Sequence, residues 1–247
     1  MPTIVYMSLL SDSENIEILQ GPDLQGKALW DYYKKGKNAL YMYTTYGPKE
    51  KMPLQAFFAD PESNELEYIA LNLCKAPVLD IGAGAGRFSL ALQEQNKEVT
   101  ALEYSALSCT LMQERGVQSV VNADFWTHQG KYSTLLLMMN GIGLVQYVEH
   151  LPQFFEKLKS LLLPGGAIIL DSSNISYLYD DEFPKPVDGY FGELQYAYEY
   201  EGVKGKSFNW LFLDWETLQA EAKKSGLKAE LIYGPVSHQY LAALTVV

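Results

Sequence analysis

The chain reads as an α/β protein: a doubly wound, mostly parallel sheet with helices on both faces. Three observations lead there. Short, continuously apolar segments alternate with amphipathic ones from residue 77 to residue 170. Such strands are buried on both faces, and that is the mark of a parallel sheet covered by helices. A glycine-rich turn follows the first of them, and two aromatic-rich flanks break the alternation before and after. With 247 residues, 48% of them hydrophobic and 20% charged, the chain has material for a large core and lies far from the composition of a disordered segment.

The elements follow in order. A helix is expected around Lys27 to Lys35, then irregular, Pro-punctuated sequence. Pro77 to Ile81 is a short buried strand, and Phe88, Leu90, Ala91 and Leu92 give the apolar side of the helix after its glycine turn. A strand at Val99 to Leu102, a helix at Ser105 to Arg115 and a strand at Val117 to Val121 come next. Leu135 to Met139 is an apolar run bounded by Asn140-Gly141. Phe154 to Leu163 reads as an amphipathic helix stopped by Pro164-Gly165-Gly166, and Ala167 to Leu170 is another buried strand. Beyond it Leu194, Tyr196, Tyr198 and Tyr200 alternate, a turn falls between Gly202 and Gly205, and Phe208, Trp210 and Phe212 alternate on return. This is the period of a β-hairpin. A helix capped by Asp214 and strands near Glu230 to Tyr233 and Tyr240 to Val246 complete the chain. The expected division is an N-terminal helical cap over residues 1–72 and a main domain over 73–247, with a β-hairpin insertion at about 174–212.

The strongest chemical signal is Asp80-Ile81-Gly82-Ala83-Gly84-Ala85-Gly86. A strand carries an acid to its carboxyl end, glycines let a ligand approach the backbone, and the next helix offers free N–H groups. The same turn without a ligand would be purely structural. Dinucleotide enzymes use G-x-G-x-x-G, and here Arg87 stands where their third glycine belongs. The spacing is instead D-x-G-x-G-x-G. With it, the chain resembles the class I, Rossmann-like S-adenosylmethionine-dependent methyltransferases of small-molecule type, from about Leu73 to Ser172.

The resemblance implies roles for particular residues. Gly82, Ala83, Gly84 and Gly86 would surround the methionyl part and ribose of S-adenosylmethionine, with Asp80 orienting that end. Glu103, closing the second strand with Tyr104 beside it, would hold both ribose hydroxyls, as a carboxylate accepting two hydrogen bonds can. Asp124 and Phe125 match the adenine contacts, although Asp124 also suits a helix cap. Asn140 closes the fourth strand, where the family contacts the methionine amine through a backbone carbonyl. Asn140-Gly141-Ile142-Gly143 is not the Asn/Asp-Pro-Pro-aromatic motif of DNA and glutamine methyltransferases. Nor do Asn140 and Asp171-Ser172-Ser173-Asn174 fit the catechol-type metal site, so no metal is expected. His150, after that strand, is the candidate base for an oxygen or nitrogen acceptor; the alternative is a histidine that merely starts a helix.

Twenty of the 32 aromatics lie between Trp30 and Phe58 or between Tyr177 and Trp215. Both flanks could reach over the carboxyl ends of the strands, where ligands of this fold bind. Tyr33, Tyr198 and Trp210 are the candidate pocket residues. Covering the sheet or a dimer contact would explain the same aromatics. Deleting 186–206 is expected to spare cofactor binding and abolish transfer. A nucleotide-linked oxidoreductase and a non-catalytic S-adenosylmethionine-binding protein are the alternatives. The formal charge of −11 argues against nucleic acid. The absence of a signal sequence or an apolar span, with two cysteines only, suggests a soluble cytoplasmic protein.

Overall fold

The computed structural model describes residues 23–45, 47–236 and 238–247. The part of the expected N-terminal cap formed by residues 1–22 lies outside them.

A seven-stranded sheet organises the chain. Its strands are β3 (Val78–Ile81), β4 (Val99–Glu103), β5 (Val120–Asn122), β6 (Tyr132–Leu137), β7 (Leu162–Ser173), β11 (Leu227–Val236) and β12 (Gln239–Val246), in the order β11-β12-β7-β6-β3-β4-β5. β3 to β7 pair in parallel. β12 runs antiparallel to both β7 and β11. Strand order reverses at β3, so the switch point where this architecture opens a crevice lies between β3 and β6.

Both faces are covered, which explains the uninterrupted apolar strands. On one face Leu79, Leu135, Leu137, Ile168 and Leu170 pack against Phe154, Phe155 and Leu158 of α5 (Leu151–Leu161) and Leu218 and Ala222 of α6 (Trp215–Lys224). On the other, Val78, Leu136, Ile169 and Leu241 meet Leu66 and Ala70 of α2 (Glu65–Leu73) and Phe88 and Leu92 of α3 (Arg87–Glu94). The Pro164-Gly165-Gly166 segment falls where the β6–β7 register breaks, after Leu162 and before Ala167.

The flanks combine into a second, antiparallel sheet. β1 (Tyr41–Thr44) and β2 (Gly47–Lys51) come from the N-terminal flank. β8 (Glu193–Tyr200), β9 (Val203–Lys204) and β10 (Phe208–Leu211) come from the insertion, and the order is β10-β8-β1-β2 with β9 on β8. The hairpin alternation is realised: Phe208 faces Tyr196 and Trp210 faces Leu194, while Met42 of β1 lies opposite Tyr198. α1 (Leu24–Lys35) packs beside this sheet and against α4 (Ala106–Arg115), burying Ala28, Leu29, Leu111 and Tyr200 together.

The flank read as irregular thus holds two strands and α2. β2 is exposed along its whole length, so no burial pattern marks it. α2 is nine residues long, about two and a half turns, with Asn64 as its cap. Removing 186–206 would take out β8, the strand that both β1 and β10 pair with. Such a deletion dismantles the second sheet instead of trimming a lid.

Candidate active site

The turn after β3 is built for close approach. Gly82, Gly84 and Gly86 all have left-handed φ, at 72°, 58° and 79°. The reasons for glycine differ along the turn. A Cβ on Gly86 would meet Met112 Cγ at 2.8 Å and Val117 Cγ2 at 2.9 Å, so here helix packing demands it. Around Gly82 and Gly84 the nearest atoms are Leu144 Cδ1 at 3.7 Å and Phe57 Cδ1 at 3.5 Å, and conformation alone is the constraint.

Two acids flank the turn. Asp80 is buried and accepts from Ser89 Oγ at 2.7 Å. Burial pushes its carboxyl up to about 6, with the Glu103 charge adding to the rise. Glu103 accepts from the Gly84 N–H and the Ser105 N–H, each at 2.9 Å. Its carboxyl is raised by burial against those bonds. Neighbouring acids that repel one another favour a ligand that brings positive charge and hydroxyl donors. Ser105 caps α4 and donates to Asp23, the cap of α1. The N-terminal helix is therefore tied to the Glu103 side of the turn, through two caps whose residue types are legible only once they are seen to meet.

The end of β6 forms the opposite wall. Asn140 is buried and left-handed (φ 60°, ψ 38°). A short 3-10 turn follows, Gly141–Val145. A Cβ on Gly143 would overlap the Trp210 indole, so β10 of the second sheet lies directly on this turn. Tyr147 accepts from Asn209 Nδ2, and its ring meets His150 edge-on at 5.3 Å. His150 is half exposed, with Nδ1 3.4 Å from the Val145 carbonyl and Nε2 3.7 Å from Glu149.

The other candidates are more dispersed. Asp124 is exposed and accepts from the Trp126 N–H at 2.7 Å, in a turn; no helix starts there, so it is not the helix cap expected as its alternative. Phe125 is buried against Phe154, and Tyr104 is exposed after Glu103. Tyr198 packs on Phe208 at 5.1 Å, and burial pushes its hydroxyl up to about 12. Tyr33 instead stacks on Phe58 at 6.3 Å, exposed at the surface. Phe57 and Leu144, which cover Gly84 and Gly82, carry no sequence signal beyond being apolar. A cavity of about 330 Å³ between His128, Lys131 and Lys157 lies where β6 begins, at the amino end of the parallel strands, whereas the glycine turn follows the carboxyl end of β3. A smaller one of about 140 Å³ lies among Asn174, Trp215, His238 and Tyr240.

A switch-point crevice lined by a D-x-G-x-G-x-G turn and an acid on the neighbouring strand defines a Rossmann-like domain for an adenosyl cofactor. Residues 50–230 match the family described as Methyltransferase domain. Among solved structures, the chain is similar to a SAM-dependent methyltransferase from Bacteroides fragilis in complex with S-adenosyl-L-homocysteine. Identity is 36%, over 91% of this chain and 94% of that one, with a TM-score of 0.84. The CcbJ methyltransferase from Streptomyces caelestis is 16% identical over 76% and 97% of the two chains, with a TM-score of 0.60. The SAM-bound amino pentose methyltransferase CalS10 from Micromonospora echinaspora is 14% identical over 81% and 99%, with a TM-score of 0.55. These last two share the fold. No curated protein matches the sequence. The chain belongs to the S-adenosylmethionine-dependent methyltransferases. The oxidoreductase alternative falls with that membership. Among the described residues, no helix is long and apolar enough to cross a membrane.

Proposed function

We propose that this methyltransferase acts on an oxygen or nitrogen of a small molecule held between the carboxyl ends of β3 and β6 and the aromatic side of the second sheet. The observation that carries the reading is the contact of Trp210 with the Gly143 turn, which puts an insertion aromatic beside the end of β6. Two of the structural neighbours are a sugar N-methyltransferase and an amino pentose methyltransferase. The net charge of −11 argues against a nucleic-acid acceptor. Two free, buried cysteines, whose thiols burial pushes up to about 12, suit a reducing cytoplasm.

The residues present fit the cofactor. Gly82, Ala83, Gly84 and Gly86 would hold its methionyl part and ribose. Glu103, already accepting two N–H bonds, keeps lone pairs for ribose hydroxyls. Asp80 lends negative charge behind the turn. Tyr104, Asp124 and Phe125 would border the adenine, and the Asn140 carbonyl the amine. Bound there, S-adenosylmethionine supplies a methyl group on a positively charged sulfur. The protein's work is then alignment, an effect worth up to about 7–11 kcal/mol. Trp210 and Tyr198 would exclude water, and an aromatic face near a cation adds about 0.5–2 kcal/mol. His150 would take the acceptor proton through its exposed imidazole. Tyr33, on the surface beside Phe58, would serve at the mouth of the site.

Melting the protein with S-adenosylmethionine, S-adenosylhomocysteine and reduced nicotinamide cofactors tests the cofactor site. Saturation at a hundred times the dissociation constant adds about 2.7 kcal/mol. The adenosyl sulfur ligands should raise the melting temperature of wild type and much less that of Glu103→Ala. A Glu103→Ala protein that responds like wild type would remove Glu103 from the site. Screening labelled methyl transfer to small amines and alcohols, with Trp210→Ala and His150→Ala alongside, tests the acceptor side. Full turnover in His150→Ala eliminates the histidine as base.

A further inference from the structure

The amide of Asn140 does more than the backbone requires. Its left-handed conformation suits asparagine, but glycine would hold it as well. The side chain is buried and fully engaged. Oδ1 accepts from Ser172 Oγ at 2.7 Å, and Nδ2 donates to the Leu211 carbonyl at 3.0 Å. The Asn140 N–H donates to Asp171 Oδ1 at 2.9 Å. Ser172 Oγ in turn accepts from the Leu213 N–H at 3.0 Å. These bonds run from the ends of β6 and β7 to the segment where the insertion returns to the main domain. Trp210 immediately precedes that segment and rests on Gly143, three residues beyond Asn140.

The two sheets are separate ladders; among the described residues no strand pairing joins them. Their relative placement must come from packing and from side-chain bonds. Two such bonds lie at the partly exposed rim, from Asn209 Nδ2 to Tyr147 Oη and from the Val148 N–H to Glu193 Oε1 at 2.9 Å. The Asn140–Ser172–Leu211 set is buried, as is the bond from Tyr240 Oη to the Leu213 carbonyl at 3.0 Å, and in such places a hydrogen bond is strongest and its loss is felt most.

Resting on the reading that the second sheet faces the methyl acceptor, we infer that Asn140 is a positioning residue. Its side chain latches the exit of β10 to the ends of β6 and β7, and so sets Trp210 against the turn that closes the transfer site. The backbone carbonyl, not the amide, is then the part of Asn140 left for the cofactor.

The variant Asn140→Gly separates the two, because it keeps the left-handed backbone and the carbonyl and deletes only the amide. The protein is labelled with 5-fluorotryptophan, the Trp210 signal is assigned with Trp210→Phe, and amide hydrogen exchange is followed in parallel. The Trp210 fluorine resonance should shift or broaden while the other three tryptophans hold still. Exchange across 208–213 should quicken by roughly tenfold or more, with 78–81 unchanged. General destabilisation would not single out Trp210. An unmoved Trp210 signal with unchanged exchange overturns the latch. If Asn140→Gly does not fold, Ser172→Ala leaves Asn140 in place and removes the hydroxyl that joins Asn140 Oδ1 to the Leu213 N–H, and the Trp210 and exchange signals are read the same way. A wild type that fails to bind S-adenosylhomocysteine defeats the functional reading, and the Trp210 and exchange data still decide the latch.

Discussion

In the seven-stranded sheet, β3 pairs with β4 about twenty residues on, Val78 opposite Val99. In the second sheet Met42 pairs with Tyr198, across more than 150 residues. The first region closes short loops and carries its chemistry inside one strand–turn–helix unit. The second exists only after two distant flanks have met. Loop closure over such distances must be overcome before any contact rewards it. On the function proposed above, the parallel sheet supplies the cofactor half of the site from local information, and the acceptor half depends on how the flanks dock.

The contrast is broken most severely at Gly86. A Cβ there is strained by φ 79° and collides with Met112 and Val117 of the α4 region. Gly86→Ala should cost about 2–5 kcal/mol, the left-handed penalty plus overpacking, in urea unfolding. Gly205→Ala in the second region has no such φ and meets Leu24 Cδ1 at 3.2 Å and the Tyr198 carbonyl at an ordinary 3.6 Å. It should cost less than about 1 kcal/mol. Equal losses would mean that the glycine turn is no more constrained than the β9–β10 connection.

The same contrast explains what was legible in the sequence. Asp80, the glycine spacing and Glu103 announce themselves, since spacing along one strand and turn sets their geometry. The Leu194 to Phe212 hairpin is legible from its alternation. β1 is not, because four half-buried residues give no period, and neither is the fact that it pairs with β8. Asn140 is visible as a strand end, yet its tie to Leu211 spans 71 residues and depends on the docked insertion. Phe57 and Leu144 reach the glycine turn only through tertiary packing. Tyr33 and Trp210 look equivalent as flank aromatics. Only the fold separates a ring at the surface from one laid on the Gly143 turn.

A second experiment sharpens the junction between the regions. Asp171 accepts from the Asn140 N–H and from Gln239 Nε2 at 2.8 Å, fully buried. Burial pushes its carboxyl up to about 6 from an ordinary value of 3.8. The folded state then holds the proton to higher pH than the unfolded chain does. Stability from this group is complete below pH ~4 and falls as pH rises through about 6. Asp31 and Asp214, whose carboxyls are lowered, act the other way and in a lower window. Asp171→Asn keeps an amide that Gln239 can pair with by turning over. Its stability measured from pH 4.5 to 6.5 should lose a downward slope on the order of 2 kcal/mol relative to wild type. Parallel pH curves for the two proteins would show that Asp171 titrates normally and that the junction is wetter than its burial indicates.

The smallest expected effect asks whether the two regions unfold together. Tyr200 on β8 is buried and donates to Asp31 Oδ2 of α1 at 2.8 Å. Asp31 keeps Lys35 as a second partner, at 2.6 Å, so losing the hydroxyl does not strand the carboxylate. Tyr200→Phe should therefore cost about 1 kcal/mol. Faster hydrogen exchange should be confined to α1 and β8, with S-adenosylhomocysteine binding unaltered. That pattern fits a second sheet able to loosen while the parallel sheet stays closed, as the proposed acceptor-side cap would when product leaves. If exchange instead accelerates equally in β3 and β4, the sheets form one cooperative unit. The difference between them would then lie in how they assemble, not in how they move.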